Sequence, residues 1–485
     1  MERAKKKRLN HLRVITTNIL MGISVIAIAG TLTLLAMGYT LTKDGGLERS
    51  GLLQVRSYPS GATVEINGET QPSRTEMRKM LSEGSHDIIV TKSGYSTWST
   101  TVDIESGLLT RIDWIRLFPL KRTIETVRTY RPSTTDDAIK HVSVSPDKQY
   151  LAIIYPGDEI TIQLIDIRTD EIKYNNIPFT RIAGLAFDRV GDPKNDHWEI
   201  TQWSEDNSKF ILKLTTDGVD ASTWFYVNIA KLENNIWLNR AFMLNFTDLQ
   251  FANSTGTKIW TLENGNLRLI NTVDATISSI LLNRVEKYSA SNSTIGLIGI
   301  NAQEKRFVGI YQEGEQGSTT VQEIESDISS YHVALGKNWA DNWIAYTLNN
   351  RLFVRAGNYP SYQNNTKLRT IAENDLSFTP TKLTTNLTNR FVVASSGENI
   401  SSFDVEIKRR YEFEFPGNTV NWLDNFILWT DQDDKLTIID FNGENRREIT
   451  ALAHGFSVAL TSNNRWLYFI SPTEENSYLL RRERL

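Results

Sequence analysis

The sequence predicts an all-β protein behind one N-terminal transmembrane helix, with its body divided into a small β-sandwich and a β-propeller of about eight blades. Three observations predict this. Residues 14–39 form an uncharged apolar run. Residues 52–119 alternate apolar and polar positions between turn residues spaced 8 to 12 apart. Beyond residue 137, a polar turn leading into a short apolar strand recurs to the end of the chain. In order, this gives a basic leader 1–13, a membrane helix 14–39, a linker 40–51, a sandwich 52–120 and a propeller 121–485.

The apolar run comes first because it sets the address. At roughly 1.5 Å per residue, it makes a helix of about 39 Å, longer than the roughly 30 Å hydrocarbon layer. Ahead of it stand Arg3, Lys5, Lys6, Lys7, Arg8 and Arg13 against Glu2 alone, whereas Lys43, Asp44, Glu48 and Arg49 cancel behind it. The positive-inside rule then puts the N-terminus in the cytoplasm and the body outside. A cleaved signal peptide shares the basic start, but its apolar core runs only about 7 to 15 residues. Here the run continues through Leu32, Leu34, Leu35 and Met37.

The chain of 485 residues is 40% hydrophobic, enough for cores in more than one domain. It contains no cysteine, which excludes disulfides, thiol catalysis and zinc–thiolate sites. Basic residues cluster only in the leader, where anionic lipid is the natural counter-charge, so a nucleic-acid partner is not expected.

Turn chemistry defines the sandwich. Tyr58-Pro59-Ser60-Gly61 presets a bend, Asn67-Gly68 supplies a two-residue hairpin, and Gly84, Gly94 and Gly107 punctuate later strands. Val64 and Ile66, Ile88 and Val90, and Val102 and Ile104 recur with period two, placing them on one buried face. Ser57-Tyr58-Pro59-Ser60-Gly61-Ala62, Val64-Glu65-Ile66-Asn67-Gly68, Gly84, Gly94-Tyr95 and Leu117-Phe118-Pro119 resemble the PEGA domain family in order and spacing. Ser60 stands where that family's eponymous Glu sits. The resemblance implies a compact β-sandwich of prokaryotic envelope proteins that assists surface or polysaccharide-associated binding, without catalytic residues. Gln71-Pro72-Ser73-Arg74-Thr75 departs from the family pattern, and a displaced or partly helical segment is expected there.

The repeat defines the propeller. Its turns begin at Ser145, Ser204, Asn253, Ser291, Trp339, Asn386, Asp424 and Ser462, at spacings that match blades of about 40 to 50 residues. Hairpins follow at Asn264-Gly265 and Asp433-Asp434. The segments resemble blades of TolB-type propellers, loosely, since only Ser145-Pro146-Asp147 keeps that family's turn and Lys148 replaces its Gly. Lys121 to Arg128 offers an orphan strand before the first blade, while the last blade, from Gly455, holds about three strands. These are expected to pair as a clasp that closes the ring.

Chemistry is sparse. The sequence has no Gly-x-Ser-x-Gly, Walker, Gly-x-Gly-x-x-Gly or His-Glu-x-x-His motif. His11, His86, His141, His197, His332 and His454 are scattered and read as structural or surface residues. Asp431-Gln432-Asp433-Asp434-Lys435 starts like a calcium loop, but Lys435 occupies a ligand position, so it reads as a solvated hairpin. Trp203, Trp260, Trp343, Trp422, Trp429 and Trp466 fall in or beside strands and read as packing between blades. Trp224, Trp237 and Trp339 lie nearer loops and are candidate ligand contacts. No catalytic, cofactor-binding or metal-binding residue is assigned, and no cofactor is expected. The expected partners are membrane lipid and an envelope protein or cell-wall glycan. The alternative is a polysaccharide-acting enzyme using loop acids such as Glu205, Asp206, Glu313 and Glu315.

Overall fold

In the computed structural model, the described residues are 2–36, 38–41, 46–132, 138–156, 159–184, 193–338, 341–357, 368–417, 420–473 and 477–485. Most of the polar link 131–137 and Trp339 lie outside them. The chain divides into two compact units, Met1–Arg122 and Thr123–Leu485.

The first unit begins with a helix, Glu2–Ala36. Its segment Ile15–Leu34 is long and apolar enough to cross a membrane, and no described part of the protein covers it. Ile26, for example, is 74% exposed. Inside this stretch the hydroxyls of Ser24, Thr31 and Thr33 donate to the carbonyls of Leu20, Ala27 and Ala29 at 2.8–2.9 Å, so these polar groups carry their own partners into an apolar medium. The helix stops short of residue 39. Gly38 takes φ +82°, a left-handed conformation open to glycine, and Tyr39–Leu41 leaves as a strand. The segment expected as linker is likewise partly strand, since Tyr39–Leu41 pairs with residues 47–49.

The rest of this unit is a sandwich of two four-stranded sheets. One is organised on the long strand Leu47–Tyr58, flanked antiparallel by Met77–Ser82 and parallel by Leu109–Arg116. The other runs Glu69–Arg74, Thr63–Ile66, Gly84–Thr91, Trp98–Ile104. Leu53, Val55, Val64, Ile66, Ile88, Val90, Trp98, Ile104, Ile112 and Ile115 fill the space between them. The period-two residues therefore face the core as expected, with Val102 only partly buried at its edge. Residues 69–74 correct the expectation of a displaced or helical segment. They form an edge strand, the one sheet position that tolerates Pro72. Thr75 then closes the Tyr58–Gly61 bend: its hydroxyl meets Ser57 Oγ at 2.7 Å and accepts the Ala62 N–H at 2.9 Å, while its carbonyl accepts the Gly61 N–H.

The second unit consists of eight four-stranded antiparallel sheets in sequence order, spanning 141–178, 196–237, 248–277, 285–323, 331–375, 382–414, 421–451 and 459–484. The eighth takes its outer strand from the front of the unit. Ile124–Tyr130 pairs with Tyr478 to Glu483, so the expected clasp is present. Apolar clusters sit between neighbouring sheets. Ile154, Ile162 and Leu164 of blade 1 pack with Trp198, Phe210 and Phe225 of blade 2, and the pattern repeats through blades 3 to 7. Closure is sealed where Val142, Leu151 and Ile153 of blade 1 meet Trp466, Tyr468 and Leu480 of blade 8.

One polar device builds the turn between first and second strands. Ser145, Ser204, Asn253, Asn386 and Thr461 each accept, through a side-chain oxygen, backbone N–H groups four or five residues on, at 2.8–3.3 Å. Three residues after each stands Lys148, Asn207, Gly256, Asn389 or Asn464, all at positive φ. That turn type explains the enrichment in Asn and Gly. In the last blade the true first position is Thr461, one residue before the expected Ser462. At the hairpins Asn264-Gly265 and Asp433-Asp434 both central residues have positive φ, as a tight two-residue reversal requires.

The tryptophans tie blades together. Trp203 donates to Ser143 Oγ of the preceding blade, while Trp260 donates to the Asn292 carbonyl, Trp343 to the Asn389 carbonyl and Trp466 to Asp170 of the following blade, each at 2.8–3.0 Å. Trp429 is buried, and Trp422 stacks on Phe391. Trp224 does lie near the start of its strand, Thr223–Asn228, but it is 2% exposed and donates to the Phe246 carbonyl, which leaves it little surface for a ligand. Half-buried Trp237 packs against the core between blades 1 and 2.

Candidate functional site

The starts of the first strands mark the leading end of the propeller, and the turns that follow them mark its trailing end. At the trailing end, the turns that follow the first strands interlock. Asn207 Oδ1 accepts the Asp147 N–H, Asp206 N–H reaches the Ser254 carbonyl, Asn386 Nδ2 the Asn425 carbonyl, and Lys148 Nζ reaches from blade 1 to the Leu423 carbonyl of blade 7 at 3.3 Å. Clefts of about 330 and 560 Å³ lie beside these turns, and the leading end holds a cavity of about 330 Å³ lined by Thr247, Asp248, Leu262, Glu286, Lys287, Tyr288, His332, Val333 and Leu383. These residues come from the inner strands of blades 3 to 6 and from Leu262 on the neighbouring strand of blade 3.

Strand geometry places each polar group. Asp248 opens the inner strand of blade 3, where Gln250 Nε2 donates to its Oδ2 at 2.9 Å and its own Leu249 N–H to Oδ1. Burial raises its carboxyl above the usual carboxylate range despite those donors. Gln250 also reaches blade 4, donating to the Tyr288 carbonyl and accepting the Ala290 N–H at 2.8 Å. Glu286 is gripped by both nitrogens of Arg306 at 2.7 and 2.9 Å, and that pairing holds its carboxyl below its ordinary value. Tyr331 lies within cation–π range of both Lys287, at 5.0 Å, and Arg306, at 4.8 Å. Lys287 also donates to the Tyr331 carbonyl. His332 meets Thr347 Oγ1 at 3.2 Å, and burial followed by the Lys287 charge favours its neutral form.

The cleft therefore offers an acceptor in Asp248, a cation in Lys287, a neutral imidazole and a charge-neutralised Glu286–Arg306 pair. This set suits polar recognition. Glu286 is committed as a counter-ion, and no serine or cysteine nucleophile lines the cavity. Among the described residues, no group of three or more His, Asp or Glu side chains is placed to hold a metal.

The loop acids weighed from sequence do not converge on this cleft. Asp206 caps its own turn with Ser204, Ser208 and Lys209, which hold its carboxyl down to about 2 against the cost of its burial. Glu313 pairs with Lys258. The histidines also stay apart. His86 is buried between Asn67 and Ser82, His141 is half-buried at the start of blade 1 with its ring Nε2 turned inward, and His197 and His454 pair with Asp217 and Asp431. Asp431 also accepts the Gly455 N–H at 2.6 Å, so the calcium-like stretch is a structural hairpin. Sequence reading singled out none of Asp248, Glu286 or Lys287 and read His332 as structural. Their shared signal, a polar or charged residue within the first three positions of a blade's first strand, becomes visible only once the blades are aligned.

Residues 50–114 match the model of the PEGA domain. No curated protein matches the chain. Among solved structures, an oligogalacturonate lyase in complex with manganese is 10% identical over 60% of this chain and 90% of its own, with a TM-score of 0.40. An oligogalacturonate lyase from Vibrio parahaemolyticus is 10% identical over 75% and 97%, with a TM-score of 0.36. Porphyromonas gingivalis dipeptidyl peptidase 4 is 9% identical over 71% of this chain and 57% of its own, with a TM-score of 0.47. The propeller assignment rests on the eight sheets and their closing strand. Residues 50–114 are thus a PEGA domain, standing between an N-terminal apolar helix and a β-propeller.

Proposed function

We propose that this is a single-pass, membrane-anchored binding or scaffold protein of a prokaryotic cell envelope, with its N-terminus cytoplasmic and its PEGA domain and propeller outside. The propeller presents its leading-end cleft to an envelope protein or a cell-wall glycan, without catalysis. The observation that carries the reading is the apolar segment Ile15–Leu34. No described part of the protein buries it, so the hydrophobic effect leaves lipid as its solvent. The six basic residues before it supply the orientation. A mixed set of acceptor, cation and imidazole over a 330 Å³ cavity suits a hydroxyl-rich or peptide ligand more than a single charged one.

The test is fractionation followed by pull-down. The full chain is expected to stay in the membrane pellet at alkaline pH with its leader attached. Cross-linking from intact envelopes is expected to recover a reproducible surface protein or wall polymer. Loss of that capture in Lys287→Ala and Asp248→Asn would place the contact in the cleft. Turnover of isolated wall polymer by the purified protein would contradict the non-enzymatic reading.

A further inference from the structure

We propose that the sandwich unit rests on the lipid surface through the turn 105–109, which crosses from one sheet to the other, and the adjoining sheet face, which gives the anchor a fixed exit rather than a free tether. This inference rests on the reading of Ile15–Leu34 as a retained membrane helix. Gly38 is only four residues beyond Leu34, at most about 14 Å even for extended chain, so it lies close to the end of the apolar segment. Gly38 is not free there. Its carbonyl accepts both the backbone N–H and the hydroxyl of Ser50, at 2.7 and 3.1 Å. A Cβ built on it would lie 2.3 Å from the Gly107 nitrogen, and Gly107 N–H in turn reaches the Ser50 carbonyl. The chain after the apolar helix is thereby packed directly onto this turn.

The end of that turn is apolar where solvent would otherwise meet it. Leu108 is 56% and Leu109 42% exposed. Cross-strand register extends the patch, because Leu52 stands between Leu109 on one side and Met80, 47% exposed, on the other. Neighbouring residues in a row share a face, so Met80, Leu52 and Leu109 form one apolar band. Two residues further along the same strands, about 7 Å farther from the helix exit, the next row is Arg78, Gln54 and Arg111. Apolar side chains at the boundary with guanidinium groups behind them match the layering of acyl chain and phosphate. Such a patch on a soluble face would be an association liability, whereas beside a membrane exit it has a partner.

The cysteine-free sequence makes the test direct. Full-length Leu108→Cys and Ser60→Cys, each labelled with an environment-sensitive fluorophore, are reconstituted into vesicles of phosphatidylcholine and phosphatidylglycerol. Ser60 lies beyond the far end of the strand Leu47–Tyr58 and serves as the water-exposed reference. The expected result is a blue-shifted label at 108, quenched by a shallow lipid-borne nitroxide and several-fold less sensitive to aqueous iodide than the label at 60. Equal iodide quenching at both positions, in protein that resists alkaline extraction, overturns the docked sandwich and leaves the anchor standing. Extraction of the protein from the vesicles overturns both.

Discussion

The sandwich and the propeller are built from the same kind of strand but depend on different contacts. In the sandwich, Leu47–Tyr58 pairs with segments before and after it, including the parallel partner Leu109–Arg116, and one cluster serves both sheets. In the propeller, every sheet but the last is a meander of consecutive strands, and apolar clusters alternate between blades. A single distant pairing, 124–130 with 478–483, converts this local array into a ring. Disruption should therefore spread through the whole sandwich from almost any core position, while the propeller should be most vulnerable at its seam.

Deleting 478–485 breaks the comparison most sharply. It removes the closing strand and the fully buried Leu480, and should cost the propeller more than about 5 kcal/mol, enough to unfold many domains. Calorimetry should show the propeller transition lost and that of the sandwich unmoved, and equal shifts would refute the unit-by-unit account. Next come Trp98→Ala in the sandwich and Trp343→Ala in the propeller, both essentially buried. Each should cost about 3–5 kcal/mol. Urea melts followed by limited proteolysis should assign each loss to its own unit.

Acid should act on the propeller through His141. Burial lowers its imidazole to about 4, so in the folded state it stays neutral where the unfolded chain would take a proton. The stabilisation is fully present above about pH 6.5 and is lost as pH falls from there through about 4, up to about 3 kcal/mol. His141→Asn should flatten the melting temperature of the propeller between pH 7 and 4.5. The smallest effect belongs to Ala275, an exposed residue at φ +49° with a Cβ that opposes this conformation. Ala275→Gly should stabilise the propeller by about 0.5 kcal/mol, after the entropy of glycine is set against the relieved strain, as thermal melts would show.

What could be read from the sequence follows the same division. The turns at Ser145, Ser204, Asn253 and Asn386 were visible because one short motif supplies both the capping oxygen and the residue at positive φ. The seam was visible because a three-stranded last blade left one strand unmatched. For residues 69–74 the departure from the family pattern pointed away from a regular strand, yet an edge position, where Pro72 is tolerated, lets the segment pair all the same. Trp224 stands near a strand end as expected, but it is no ligand contact, because closeness to a loop says little about burial once residues such as Leu238 and Phe246 pack on the ring. The cleft was out of reach for a different reason. Asp248, Glu286, His332 and Leu383 have no common spacing, and only the closed ring brings the starts of four blades together.

Topology is the most direct test of the central claim that lipid holds the helix and that the two folded units lie outside. Single cysteines at Ala4 in the leader and at exposed Ser326 in the propeller can be probed on intact cells with a membrane-impermeant maleimide. The account predicts labelling of Ser326→Cys without permeabilisation and of Ala4→Cys only after it. The reverse pattern, or a mature chain that begins beyond residue 40, would contradict it.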